Sequence, residues 1–183
     1  YSDRALAIGS GTDPNLGNDP HRVAEYARNK LGFVPEEVLP FNDSIKTIEQ
    51  FYSPKPLTDS IIDSGNKFFN FYELNHEWVW SSQFPISPEQ KKARLKEALK
   101  RGTVAVSVYA WQKDGGMYIK PPGVQDGHYV QLVKYDENDF PVIFDSYAET
   151  DNTPYLKILS PLYDFGIAKC YYLSPAQPKL SIL

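Results

Sequence analysis

Residues 128–145, HYVQLVKYDENDFPVIFD, constrain the fold of this chain more than any other stretch. Two apolar runs flank the polar tetrad Asp136-Glu137-Asn138-Asp139, the pattern of two antiparallel strands joined by a tight turn. A turn centred on Glu137-Asn138 places His128 opposite Tyr147 and Val130 opposite Asp145. His128 and Asp145 then lie diagonally on one face, within side-chain reach of each other. Strand side chains alternate with a period of two, so a slip of one residue turns one of the pair away. Three readings follow. Asp145 orients and polarises the imidazole of a catalytic base, or the two form a structural His–Asp pair, or they are two unrelated surface residues.

Upstream of this hairpin the pattern is helical. A short helical start is expected around residues 3–8. Asp19 is a good N-cap, Pro20 suits the first helical position and Gly32 suits the residue past the end. Between them Val23, Tyr26, Ala27 and Leu31 recur at helical spacing. Residues 44–52 read as a short helix. Residues 58–74 read as a longer one, weakened at its centre by Gly65-Asn66. Residues 75–84 read as an edge strand in which Trp78 and Trp80 alternate with Glu77 and Val79. A complete helix signature then appears: Ser87 as N-cap, Pro88 at the first position, Gln90 closing a capping box and Gly102 as the stop.

From residue 103 the period changes to two. Strands are expected over residues 103–110, 117–120, 155–159 and 167–173, besides the two around His128 and Asp145. Helices first and an antiparallel sheet second make an α+β chain. The expected seam is Arg101-Gly102, with a helical lobe over residues 1–101 and an antiparallel β lobe over 102–183.

Composition excludes several function classes. The 183 residues fit one domain, or one domain of two lobes. A net charge of −4 offers no broad electrostatic footprint for nucleic acid. No apolar run reaches the length of a membrane span, so no membrane partner is expected. One cysteine, Cys170, rules out an intrachain disulfide and favours a cytoplasmic or viral setting. His21, His76 and His128 share no metal-ligand spacing, and no metal site is expected. The carboxylate pairs Glu36/Glu37, Asp59/Asp63 and Glu73/Glu77 read as solvated faces.

The order of these features resembles a family. SPEQKKARLKEALKRGTVAVSVYAWQ followed by DGHYVQLVKYDENDFPVIFDSYAE is similar to the C-terminal two-thirds of papain-like cysteine peptidases (peptidase C1 family). In that family a helix precedes a "PVAVSV" strand, a catalytic His opens a strand in a "GHAV.LVGY" context, and an Asn or Asp closes the next strand before Ser and an aromatic residue. The matching positions here are Gly127-His128, Val130, Leu132-Val133, Tyr135 and Asp145-Ser146-Tyr147. GNDPHRVAEYARNKLGFVPEEVLPF resembles the family's helical left lobe, and YSDRAL the segment just after its catalytic-Cys helix. The likeness is nearest to the prokaryotic and viral-type members that lack disulfides.

The resemblance implies a papain-like fold, a helical left lobe plus an antiparallel β-sheet or barrel, and hydrolysis of peptide bonds in a peptide or protein substrate without metal or organic cofactor. His128 takes the place of the base and Asp145 that of its orienting partner, where the best-known members have Asn. Asn18 and Asp19 stand where a Gly pair often offers backbone to substrate. Ser107 matches a wall of the main specificity pocket, Gly127 precedes the base, and Tyr147 stands where Trp often shields the catalytic pair. The family's nucleophilic Cys lies roughly 130–150 residues before the His, so it is expected before Tyr1, on an N-terminal segment or a second chain. Cys170, in GIAKCYYL, reads as a buried strand residue, although the order His–Asp–Cys occurs in adenovirus-type and SUMO-type peptidases. A different class also fits: a non-catalytic papain-like module that binds peptides or serves structurally.

Overall fold

Short capped helices build the first part of the chain in the computed structural model, which describes residues 1–53, 57–81, 83, 86–108, 112–124, 127–145 and 154–177. The Ser2 hydroxyl accepts the Ala5 N–H to open α1 (Asp3–Ser10). Asp19 caps α2 (Pro20–Tyr26) as expected, and its carboxylate accepts the His21 N–H at 2.8 Å. The last turn, Ala27–Leu31, widens to π-helical form before Gly32 ends it at φ 66°. Gly32 is required for a second reason. A Cβ there would strike the Gly65 carbonyl, and one on Gly65 would strike the Leu31 carbonyl.

Thr47 and Gln50 form a capping box on α3 (Ile48–Phe51), and Thr58 caps α4 (Asp59–Asn66). The helix expected to run to residue 74 tightens instead into a 3₁₀ turn, Lys67–Asn70, and strand β1 (Tyr72–Trp80) follows. Pairing within the sheet overrides the helical spacing of the Phe68–Tyr72 apolar set. Ala5, Leu31, Val34 and Leu39 form the core of this region. Beside it Arg4, only 6% exposed, donates to the carbonyls of Pro40 at 2.7 Å, Phe51 at 3.0 Å, Gln50 at 3.2 Å and also Ser53.

Helix α5 (Pro88–Leu99) carries the Ser87/Gln90 capping box read from the sequence. The strands are β2 (Thr103–Val108), β3 (Gln112–Asp114), β4 (Met117–Ile119), β5 (His128–Tyr135), β6 (Pro141–Phe144), β7 (Leu156–Ile158) and β8 (Ala168–Pro175). Six of them make one sheet in the order β1-β8-β2-β5-β6-β7, while β3 and β4 pair separately. The β8–β2, β2–β5, β5–β6 and β6–β7 pairs are all antiparallel. The chain is therefore α+β, and among the described residues β1 is an edge strand that begins at Tyr72 rather than at the expected residue 75.

One face of the sheet is dry. Val104, Val106 and Val108 of β2 pair with Leu132, Val130 and His128 of β5, and the three valines, Leu132 and Val130 form one buried cluster with Leu95 and Ala98 of α5. The structure divides into two compact units, Tyr1–Asn75 with Leu173–Leu183, and His76–Tyr172. The division differs from a seam at Arg101-Gly102: α5 groups with the sheet because its apolar stripe is buried on it. Among the described residues no helix is long and apolar enough to cross a membrane.

Candidate active site

The β5–β6 hairpin decides whether His128 and Asp145 meet. Its turn is not the simple two-residue turn. Asp136 accepts the Asn138 N–H at 2.9 Å and the Phe140 N–H at 2.8 Å on its side chain, and the Asp139 N–H at 3.0 Å on its carbonyl. Asp139 sits at φ 68°, the left-handed residue that follows a type I turn in a three-residue hairpin loop. The extra loop residue pairs Tyr135 with Pro141 and Lys134 with Val142. That offset, continued, would put Asp145 on the face away from His128.

A β-bulge at Val133 cancels the offset. Beyond it Leu132 pairs with Ile143 and Gln131 with Phe144, the register of a two-residue turn. Val133 and Lys134 are both exposed, as two successive residues are when a bulge interrupts the alternation. His128, Val130 and Leu132 then share the inner face with Ile143 and Asp145.

The result is a short, buried contact. His128 Nε2 lies 2.9 Å from Asp145 Oδ1, with the Asp145 side chain 0% exposed and the His128 side chain 21% exposed. An ionised carboxylate only accepts, so Nε2–H donates and Nδ1 is the basic nitrogen of the neutral ring. The Asp145 N–H donates to the Tyr155 carbonyl at 2.8 Å, which fixes the backbone as β6 ends.

The sequence reading missed a third member. Lys157, in the centre of β7, points to the inner face opposite Ile143, and its Nζ lies 2.7 Å from Asp145 Oδ2 with its side chain 0% exposed. The Tyr118 ring lies 5.8 Å from the same ammonium. One carboxylate thus serves a buried ammonium through one oxygen and an imidazole through the other. The signal was parity. In Leu156-Lys157-Ile158 either the lysine or the two aliphatic residues must face inward, and hydropathy favours the wrong choice.

The other expected site residues have varied placements. The Asn18 amide donates to Ser10 Oγ and Thr12 Oγ1, both at 3.1 Å, and its oxygen accepts the Asp19 N–H at 2.8 Å. Asp19 is a helix cap. Ser107 is buried, pairs with Tyr129 and accepts the Ile167 N–H on its hydroxyl at 2.9 Å, on the sheet face opposite that of His128. Gly127 donates its N–H to the Val108 carbonyl at 3.1 Å and leads directly into His128. Tyr147 lies outside the described residues.

Cys170 is fully buried and pairs with Val104, whereas His128 pairs with Val108 on the same strand. Four residues of strand separate the two levels by about 13 Å. Burial pushes the Cys170 thiol up from its ordinary value, the opposite of what a nucleophile needs. Cys170 therefore does not partner His128, and the His–Asp–Cys order carries no site here.

Comparison of the chain with protein-family models, with curated proteins and with solved structures found no match in any of the three.

Proposed function

We propose that the chain carries the base and its orienting partner of a papain-like cysteine peptidase, with the thiol nucleophile supplied from outside residues 1–183. The observation that carries this reading is the 2.9 Å bond between His128 Nε2 and the buried Asp145 carboxylate, at the start of one strand and just past the end of its neighbour. Asp145 fixes the imidazole plane and tautomer, and proton transfer falls to Nδ1.

In this reading Nδ1 takes the proton of a cysteine thiol to form a thiolate–imidazolium pair. The thiolate attacks the scissile carbonyl carbon, a carbon–sulfur bond forms, and the imidazolium returns the proton to the leaving amine as the C–N bond breaks. Water then gives its proton to Nδ1, adds to the thioester and releases the acid and the thiol. The nucleophile comes from a segment preceding Tyr1 or from a second chain, because Cys170 sits too far from His128 and is buried.

A structural reading has one observation in its favour: Lys157 gives Asp145 a buried partner that serves the fold whether or not His128 reacts. Labelling of the native, full-length protein with an epoxide thiol probe separates the two. The peptidase reading expects a modified cysteine outside residues 1–183 and loss of that modification in His128→Ala. Modification of Cys170 alone, or modification indifferent to His128→Ala, would sink it.

A further inference from the structure

We propose that Lys157 is a positioning residue of the His128–Asp145 pair and the reason that this chain pairs its histidine with an aspartate rather than an asparagine. The proposal rests on the peptidase reading for its catalytic consequence, but its structural content stands on three residues. Asp145 Oδ1 is 2.9 Å from His128 Nε2, Asp145 Oδ2 is 2.7 Å from Lys157 Nζ, and both the aspartate and lysine side chains are 0% exposed.

A buried ammonium is costly unless an anion meets it. An amide at position 145 would still accept the imidazole N–H through its oxygen, so on the His128 side Asn and Asp are near equivalents. On the Lys157 side they are not. The second atom of an asparagine is an NH2 donor, which faces the ammonium donor to donor. Lys157 therefore makes the carboxylate obligatory.

The same contact sets orientation. With Oδ2 held by an ammonium whose strand is locked opposite Ile143, the carboxyl plane cannot rotate about its Cβ–Cγ bond. Oδ1 is then presented to Nε2 without an ordering cost at the moment of reaction. The Tyr118 ring, 5.8 Å from the ammonium, adds a cation–π contact on the lysine's other flank.

The test is a rescue experiment on the full-length protein, using thermal unfolding, nitrogen NMR of His128 and the rate of epoxide thiol labelling. Asp145→Asn is expected to lower Tm by about 10 °C and to lose the uniform Nε2–H tautomer. Lys157→Met is expected to lower Tm similarly. The double variant Asp145→Asn with Lys157→Met is expected to regain most of the Tm, the Nε2–H tautomer and most of the labelling rate lost in Asp145→Asn. Should either single variant fail to fold, the double variant still decides. Recovery supports the proposal, and a double variant no better than Asp145→Asn overturns it. Asp145→Asn with unchanged Tm and tautomer also overturns it, while leaving the peptidase reading intact. Rescue of Tm and tautomer in the double variant, together with a wild-type protein that takes up no label, removes the peptidase reading and leaves the positioning by Lys157 in place.

Discussion

Val133 and Asp139 displace the β5–β6 ladder by one residue each, in opposite senses. Asp139 adds a residue to the turn at φ 68°, and the bulge at Val133 adds one to the strand. Neither is needed for a hairpin, yet together they decide which face Asp145 occupies. Deletion of Val133 is expected to carry Asp145 to the opposite face, abolish the Nε2–H signature of His128 and, on the proposed peptidase reading, lower thiol labelling by about 10²–10⁴-fold. Deleting Val133 while replacing Glu137-Asn138-Asp139 with a two-residue Asn-Gly turn is expected to restore both. Histidine NMR on the two deletion variants checks this, and an unchanged spectrum in the first would refute the role of the bulge.

Arg4 binds the carbonyls of Pro40, Gln50, Phe51 and Ser53 through its guanidinium. Arg4→Met strands several acceptors and is expected to cost about 2–4 kcal/mol. Arg4→Lys is expected to recover less than half, because an ammonium lacks the planar fork that reaches four acceptors. Urea unfolding with an unchanged m-value is the measurement.

Burial sets Cys170 against a nucleophilic role. Its Sγ lies 3.5 Å from the Ala98 carbonyl, and burial raises its thiol above the ordinary 9.0. Alkylation by iodoacetamide is expected to be slower in the native protein than in urea by on the order of 10³. Mass spectrometry of the alkylated peptide reads this out, and rapid native modification would reopen Cys170 as a candidate nucleophile.

Asp139 is held by Lys92 at 2.7 Å and by Lys96, both from α5. Hydrogen bonds to these two lysines, with their charges, bring its carboxyl below the ordinary 3.8. A depressed folded-state value means the contribution is fully present above 3.8 and is lost as pH falls through the lowered value. The expected midpoint in a carboxyl-carbon NMR titration is therefore below 3.8, moving back toward it in a Lys92→Met/Lys96→Met variant. Since Asp139 also sets the turn, that variant reports on whether the helix clamps the hairpin.

Much of the fold was legible because local signals agreed with tertiary demands. The Ser87-Pro88-Gln90 start of α5 reads directly, since capping chemistry lies within four residues. Pairing of His128 with Asp145 is also legible, but by a route the structure does not follow: the sequence predicts a two-residue turn, and two opposite offsets restore the register that turn implies. The end of α4 was not legible. Helical spacing runs on through Phe68 and Tyr72, but the chain tightens into the Lys67–Asn70 turn and enters the sheet at Tyr72. Lys157 was invisible for a related reason: its inward direction is set by Ile143 across the ladder, not by its own neighbours in sequence.

Strand β7 closes the six-stranded sheet with three residues, turning Leu156 and Ile158 outward and one lysine inward. A foreign strand that tried to extend the sheet there would find very little length to grip. A slip that hid the two aliphatic residues would pull the ammonium away from Asp145. The charge that holds Asp145 thus also holds the register of this strand, so that a slip of β7 and loss of the His128 contact are expected together.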